Sequence, residues 1–354
     1  MRGSITRKFG ILVAALALPV LAIGTAGATT PSATAKLKQA TLNGDGSSLQ
    51  YGFNQVVIGG FKQAQPSVTI NYQPNGSGQG RTDFVNKTVD FAGTDAPYKA
   101  TDTQPPAPFL YFPTVVAPIT VSYNVSGLKG LKLSGDTTAK IFQGIVTTWD
   151  DPAIAAENPK AKLPSTKITV VHRSDGSGTT ANFTNFLVKA APTTWTLGSG
   201  STVQWPAGTQ GASGNTGVAT LVKTTDGAIG YVDFSDAVAS ELTYAAIKNS
   251  SGKYIVPSLV GASAAADGAT INPDLTYDPI NAPGPAAYPI TSPTWDIVYT
   301  TQTDANKGNA IKGFLNYIYK DGQALAKSVN YAPLPKKLLN QARTQVRKIV
   351  VPAS

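Results

Sequence analysis

Two hydrophobic periods alternate along this chain. Short β-branched runs at 68–72 (VTINY), 88–91 (TVDF), 168–171 (ITVV) and 228–232 (AIGYV) predict strands. Leu49, Phe53, Val57 and Phe61 recur every fourth residue, and Ile311, Phe314, Leu315 and Ile318 recur at spacings of three and four, so both sets predict amphipathic helices. Strands that alternate with helices argue for α/β lobes. Residues 261–287 are rich in Ala, Gly, Asp, Asn and Pro without a sustained period, which predicts an irregular excursion before YPIT at 288–291 restores order. No internal repeat of fixed period and no heptad pattern is present.

The pattern at the start is different. Arg2, Arg7 and Lys8 precede an apolar run at 11–23, and Ala26, Gly27 and Ala28 supply small residues for cleavage. This reads as a signal peptide at 1–28 cut near Ala28, followed by a flexible Thr/Ala/Ser/Pro-rich leader at 29–37. A membrane-spanning helix needs about 20 apolar residues, and this run breaks off at Gly24, Thr25 and Gly27.

Composition narrows the chemistry. The 354 residues are 42% hydrophobic and 14% charged, enough for a sizeable core, and the length suggests two lobes. Lys and Arg exceed Asp and Glu by nine; the three basic residues of the signal account for part of that, leaving +6 on the exported chain. Such an excess suits an anionic ligand, but no basic run with interleaved aromatics marks a nucleic-acid surface. The absence of cysteine excludes disulfides, iron–sulfur clusters, thiolate zinc, cysteine nucleophiles and a lipidated cysteine anchor. A lone His172 excludes a multi-histidine metal centre, and no cofactor is expected.

Three glycine-serine turns each open a predicted helix: GDGSS at 44–48, GSGQGR at 76–81 and DGSGTT at 175–180. Glycine lets the backbone turn tightly, serine or threonine can cap the helix, and a helix N-terminus presents N–H donors and partial positive charge to an anion. Three such termini facing one cleft could surround a tetrahedral oxyanion, with Arg173 adding a bidentate guanidinium. Asp175 reads best as a structural partner of Arg173 or a helix cap, and His172 as a strand-end residue. Arg81 stands where a GxGxxG motif needs its third glycine, and no turn continues into the Lys-Ser/Thr of a P-loop.

These turns and their surroundings resemble the periplasmic phosphate-binding proteins of phosphate ABC transporters, the PstS family. The matching stretches are LNGDGSSL (42–49), NYQPNGSGQGRTDFVNKTVDFAGTDAP (71–97), WDDPAI (149–154), VVHRSDGSGTT (170–180), GAIGYVDF (227–234), YPITS (288–292) and YAPLP (331–335), spread over nearly the whole exported chain. The resemblance implies a two-lobed type II periplasmic-binding-protein fold with a two-segment hinge: 38–112 and 289–354 in one lobe, 113–288 in the other, and crossings near 113–116 and 288–290. It further implies a monomeric, periplasmic binding component, not an enzyme, that delivers inorganic phosphate to permease subunits in the membrane. Ser48 and Ser77 would supply hydroxyls, Leu49 a backbone N–H, and Arg173, Ser177, Gly178 and Thr179 the rest of the cage. Asp95 would accept the proton that phosphate retains. An exported phosphatase or esterase, or a binding protein for another oxyanion, is the alternative. Asp45 departs from the family pattern by placing an acid beside the first turn.

Overall fold

Strands and helices alternate along the computed structural model, which describes residues 36–353. The expected signal peptide and the leader up to residue 35 lie outside the described residues. Leu37, at the end of the expected leader, is held in place: its N–H donates to Gln65 Oε1 at 3.0 Å and its carbonyl accepts from Ser67 Oγ at 2.6 Å.

The first half of the structure begins with β1 (Ala40–Gly46), α1 (Tyr51–Ala64), β2 (Val68–Gln73), α2 (Ser77–Val85) and β3 (Phe91–Thr94), and then enters the long strand β4 (Phe109–Asn124). The second half holds β5 (Lys132–Leu133), α3 (Gly135–Phe142), α4 (Pro152–Glu157), β6 (Thr169–Arg173), α5 (Gly178–Ala190), β7 (Gln210–Ala212), α6 (Gly214–Thr224), β8 (Ala228–Asp233) and α7 (Phe234–Ala239). Short strands β9 (Thr243–Tyr244), β10 (Ala246–Lys248) and β11 (Tyr254–Ile255) follow, then α8 (Leu259–Asp267). The chain returns through β12 (Thr291–Tyr299) to α9 (Ala305–Tyr317), a π-helical turn at Ile318–Gly322, and a last α-helix, Lys336–Gln345.

One curled sheet carries the site, in the order β2-β1-β3-β12-β4-β8-β6-β7, with β9 also against β4. β1 pairs in parallel with β2 and β3, and β6 pairs in parallel with β7 and β8. Between these two parallel sets β4 runs antiparallel, paired with β12 as far as Pro118 and with β8 from Ile119 onward. Proline has no N–H for a ladder, and Pro118 stands at the last β12 pair, where the strand changes partner. The Ile119 N–H then bonds Ile290 O at 2.8 Å, and Tyr288 Oη donates to Ile119 O at 2.8 Å. The predicted crossing at 288–290 therefore meets β4 a few residues beyond the stretch 113–116.

Packing explains where the sequence pattern misleads. The run at 88–91 is not a strand: β3 begins only at Phe91, while Thr88 Oγ1 and the Thr88 N–H close the end of α2 on Asp83 O. Every residue of FAGT is buried, so this strand lacks the two-residue alternation that marks a half-exposed one. Residues 261–267 are helical rather than irregular, because the Ala-rich stretch has high helix propensity and Ser258 caps it by accepting from the Gly261 N–H at 3.1 Å. Irregular chain begins at Gly268. Leu49 precedes α1, whereas Phe53, Val57 and Phe61 form its buried stripe, with the Phe61 ring tilted against that of Phe314 of α9 at 5.4 Å. In the second half Phe183 stacks on Tyr231 at 4.5 Å, and Phe142 meets Phe183 at 4.7 Å.

Candidate functional site

Helix N-termini gather at the carboxyl ends of the parallel strands, the edge of an α/β sheet where ligands bind. The chain leaves β1 at Gly46 and turns through Ser47 and Ser48 into α1; it leaves β2 and enters α2 at Ser77; it leaves β6 at Arg173 and enters α5 at Gly178. A fourth terminus joins them where β7 leads into α6 at Gly214 and Asn215. Gly46 has φ +118°, and a side chain there would collide with Gly93 O, so only glycine makes this turn.

Asp95 is the acceptor at the centre. It is 1% exposed, receives Ser47 Oγ on Oδ1 at 2.5 Å and Ser77 Oγ on Oδ2 at 3.2 Å. Burial pushes its carboxyl up to about 6, although the Ser47 and Ser77 hydroxyls and the charges of Arg173 and Arg81 pull the other way. Ser47 itself braces the turn that leads into α1 by accepting from the Leu49 and Gln50 N–H groups at 3.1 and 3.2 Å. The Leu49 N–H thus points at a hydroxyl of its own turn, and its side chain is fully buried.

Arg173 faces this carboxylate from the other half. Its side chain is 1% exposed and forms a two-pronged pair with Asp175, through Nε to Oδ1 at 2.7 Å and through Nη2 to Oδ2. Nη1 reaches Thr179 Oγ1 at 3.4 Å. Burial would raise the Asp175 carboxyl, but the hydrogen bonds and charge of Arg173, with the Gly214 N–H, outweigh it and hold the group below its ordinary value. Asp175 therefore stays charged and fixes the guanidinium.

The turns interlock across the cleft. The Gly78 N–H donates to Gly176 O at 2.8 Å, and a Cβ on Gly178 would lie 2.6 Å from Asp95 Cβ and from Ser77 Oγ. Ser48 Oγ accepts from the Asn215 N–H at 3.2 Å and from Asn215 Nδ2 at 3.1 Å, and the same amide group donates to Thr179 Oγ1 at 3.1 Å. Ser177 is the N-cap of α5, accepting from the Thr180 N–H at 3.1 Å. The first N–H groups of an α-helix have no partner within it, so those of Gly178 and Thr179 are donors for an anion. Ser48, Ser77, Asp95, Arg173, Ser177, Gly178 and Thr179 thus fall in one buried network, with Leu49 at its edge.

Three contributors escaped the sequence reading. Ser47 belongs to the first turn but carried no role. Asn215 sits in GASGNTG at 211–217, a glycine-serine turn of the same kind that could have been flagged. Asn182, one turn into α5, donates to Asp95 O at 2.6 Å, Gly178 O at 3.0 Å and Ser292 Oγ at 2.9 Å, and nothing in its sequence context marks it. Asp45 points away from the cage toward Asn75 and Asp83. Burial and the Asp83 carboxyl raise it to about 7, so the two acids hold a proton between them near neutrality and the added charge beside the turn is blunted. His172 stacks on Trp205 at 4.9 Å and contacts Thr209 Oγ1 at 3.1 Å, contributing to packing in the second half.

Comparison with known proteins agrees with this architecture. A family model described as a PBP superfamily domain matches residues 28–321. The phosphate-binding protein PstS2 of Mycobacterium bovis is 35% identical over 325 residues, 87% of each chain, and PstS of Xylella fastidiosa is 35% identical over 319 residues, 88% of this chain and 86% of its own. PstS3 of Mycobacterium bovis is 36% identical over 368 residues, covering 97% of this chain and 99% of its own. Among solved structures, a high-affinity periplasmic phosphate-binding protein (PfluDING) bound with phosphate aligns with a TM-score of 0.69 at 22% identity, covering 89% of this chain and all of that one. A phosphate-binding protein from Stenotrophomonas maltophilia aligns with a TM-score of 0.68 at 20% identity, over 86% of this chain and 93% of its own. The two parallel strand sets joined in one curled sheet, the helix termini at its carboxyl edge and the extent of these matches place the chain in the periplasmic-binding-protein superfamily, in the family of phosphate-binding PstS proteins.

Proposed function

We propose that this protein binds inorganic phosphate outside the cytoplasm and delivers it, as a monomer, to the permease subunits of an ABC transporter, without a cofactor or catalytic activity of its own. The observation that carries the reading is the pairing of one buried acceptor, Asp95, with a surrounding set of donors that includes Arg173. A tetrahedral oxyanion that keeps a proton satisfies both; one without a proton leaves Asp95 facing bare oxygens. The relatives named above as phosphate-binding proteins support the same ligand. Competition against labelled phosphate tests it: arsenate should displace the label and sulfate should not. Steady release of phosphate from a generic monoester would instead favour an exported phosphatase.

Export rests on the signal peptide at 1–28, cut near Ala28. Among the described residues no helix is long and apolar enough to cross a membrane. Mass spectrometry of the mature N-terminus checks the cleavage point.

Closure of two lobes, 38–112 with 289–354 against 113–288, accounts for a ligand cage built from both halves. A ligand that touches both halves favours the closed arrangement by its differential affinity. Small-angle scattering should show a smaller radius of gyration with phosphate than without, and a mass equal to one chain. An unchanged profile would argue against hinging.

A further inference from the structure

The last part of the chain carries an unbalanced charge. Residues 305–353 hold nine Lys and Arg and a single acid, Asp321, more positive charge than the whole exported chain has in excess. Four of these cations converge. Lys312, Lys320, Arg343 and Arg347, with Asn316 and Val346, line a cleft of about 690 Å³ between α9 with its π-helical continuation and the helix Lys336–Gln345 with the turn that follows it. None of these residues belongs to the anion cage.

Two of the cations are set in place by backbone carbonyls without being neutralised. Arg343 donates from Nε at 3.1 Å and from Nη2 at 2.6 Å to the Tyr319 carbonyl in the π-helical turn, which leaves Nη1 to a ligand. Lys312 Nζ is steadied by Ile349 O at 3.2 Å. Among the described residues none of the four forms an ion pair; the pair in this region, Lys307 with Asp90, lies outside the cleft. Asp321, exposed and next to Lys320 in sequence, is the one acid that could offset them. π-helical turns cost regular hydrogen bonding and recur at functional sites.

We propose that this cleft is a second anion site, for a linear phosphate polymer with several adjacent charges. The lining chooses that class. Guanidinium and ammonium groups that line one cleft suit phosphate oxygens, and four of them exceed what one small anion can satisfy. A membrane-bound surface would present bulky apolar groups beside its cations, whereas the apolar lining residue here, Val346, is 2% exposed. Val350, 55% exposed, is a single aliphatic group.

The test is equilibrium binding of inorganic polyphosphate to the protein saturated with orthophosphate, so that the cage is occupied whatever its ligand preference. Binding should weaken as salt rises, and Lys320→Gln with Arg347→Gln should lower the affinity roughly tenfold or more and reduce the salt slope by about one per cation removed. Both side chains are exposed, so the double variant should keep its melting temperature and its orthophosphate affinity. Absence of binding, or equal binding by the variant, overturns the proposal. So does equal affinity for polyglutamate, which would make the cleft a reader of charge alone, and so does association with phosphatidylglycerol vesicles in place of polyphosphate.

Discussion

Replacing Arg173 by alanine should weaken phosphate binding by about 2–5 kcal/mol, a loss of roughly thirtyfold to several thousandfold. The guanidinium is buried, its side chain 1% exposed. Its removal takes a charge-assisted donor from the ligand and leaves Asp175, a half-buried carboxylate, without its cation and beside the incoming anion. Part of the loss therefore comes from Asp175, and Arg173→Ala with Asp175→Asn should bind better than the single variant. Arg173→Lys should recover only a fraction, because an ammonium cannot make the planar pair and still reach Thr179. Calorimetry reads the affinities and thermal melting confirms folding. A folded Arg173→Ala protein of unchanged affinity would remove this residue from the site.

Selectivity should hinge on Asp95. Phosphate near neutral pH keeps a proton and donates it, while sulfate can only accept, so the ionised carboxylate favours the first and opposes the second. An opposed buried acceptor costs about 1–3 kcal/mol, more when charged. Asp95→Asn should shrink the ratio of phosphate to sulfate affinity by roughly tenfold or more, mainly by admitting sulfate. The sign of the pH dependence follows from the raised pKa of Asp95. Above about 6 Asp95 is charged and discrimination is full; as the pH falls through that value it gains a proton, can donate to sulfate, and the ratio narrows. Titrating both anions on both proteins settles it, since an equal ratio would reduce Asp95 to a turn residue before Ala96 and Pro97.

Local chemistry made much of this site legible. The serine-glycine turns announced helix termini because glycine conformation and serine capping leave marks over four or five adjacent residues, and Arg173 stood beside one of them. Asn182 left no such mark, and the glycine-serine turn that holds Asn215 did not say what that side chain reaches. Their roles arise from contacts across the cleft, Asn182 to the backbone of a residue 87 positions earlier and Asn215 to a hydroxyl 167 positions earlier, and no window of sequence contains both partners. The fold shows the same division. β6 and β8 declared themselves by β-branched and aromatic residues, whereas FAGT, short and rich in small residues, was displaced toward the more β-branched run before it. The Ala-rich start of the supposed excursion was read by its glycine and aspartate, although its alanines set the helix.

The place of β12 in the sheet has a consequence for how the molecule is made. It lies between β3 and β4, so the strand that joins residues 91–94 to residues 109–118 comes from residues 291–299. A nascent or truncated chain that stops short of it has a gap in the middle of its first half, with the facing edges of β3 and β4 unpaired and open to association with other chains. Folding of that half must wait for contacts just over two hundred residues apart. The second half, whose strands β6, β7 and β8 and the paired end of β4 all lie within 119–233, meets no such delay and is the part to assemble first.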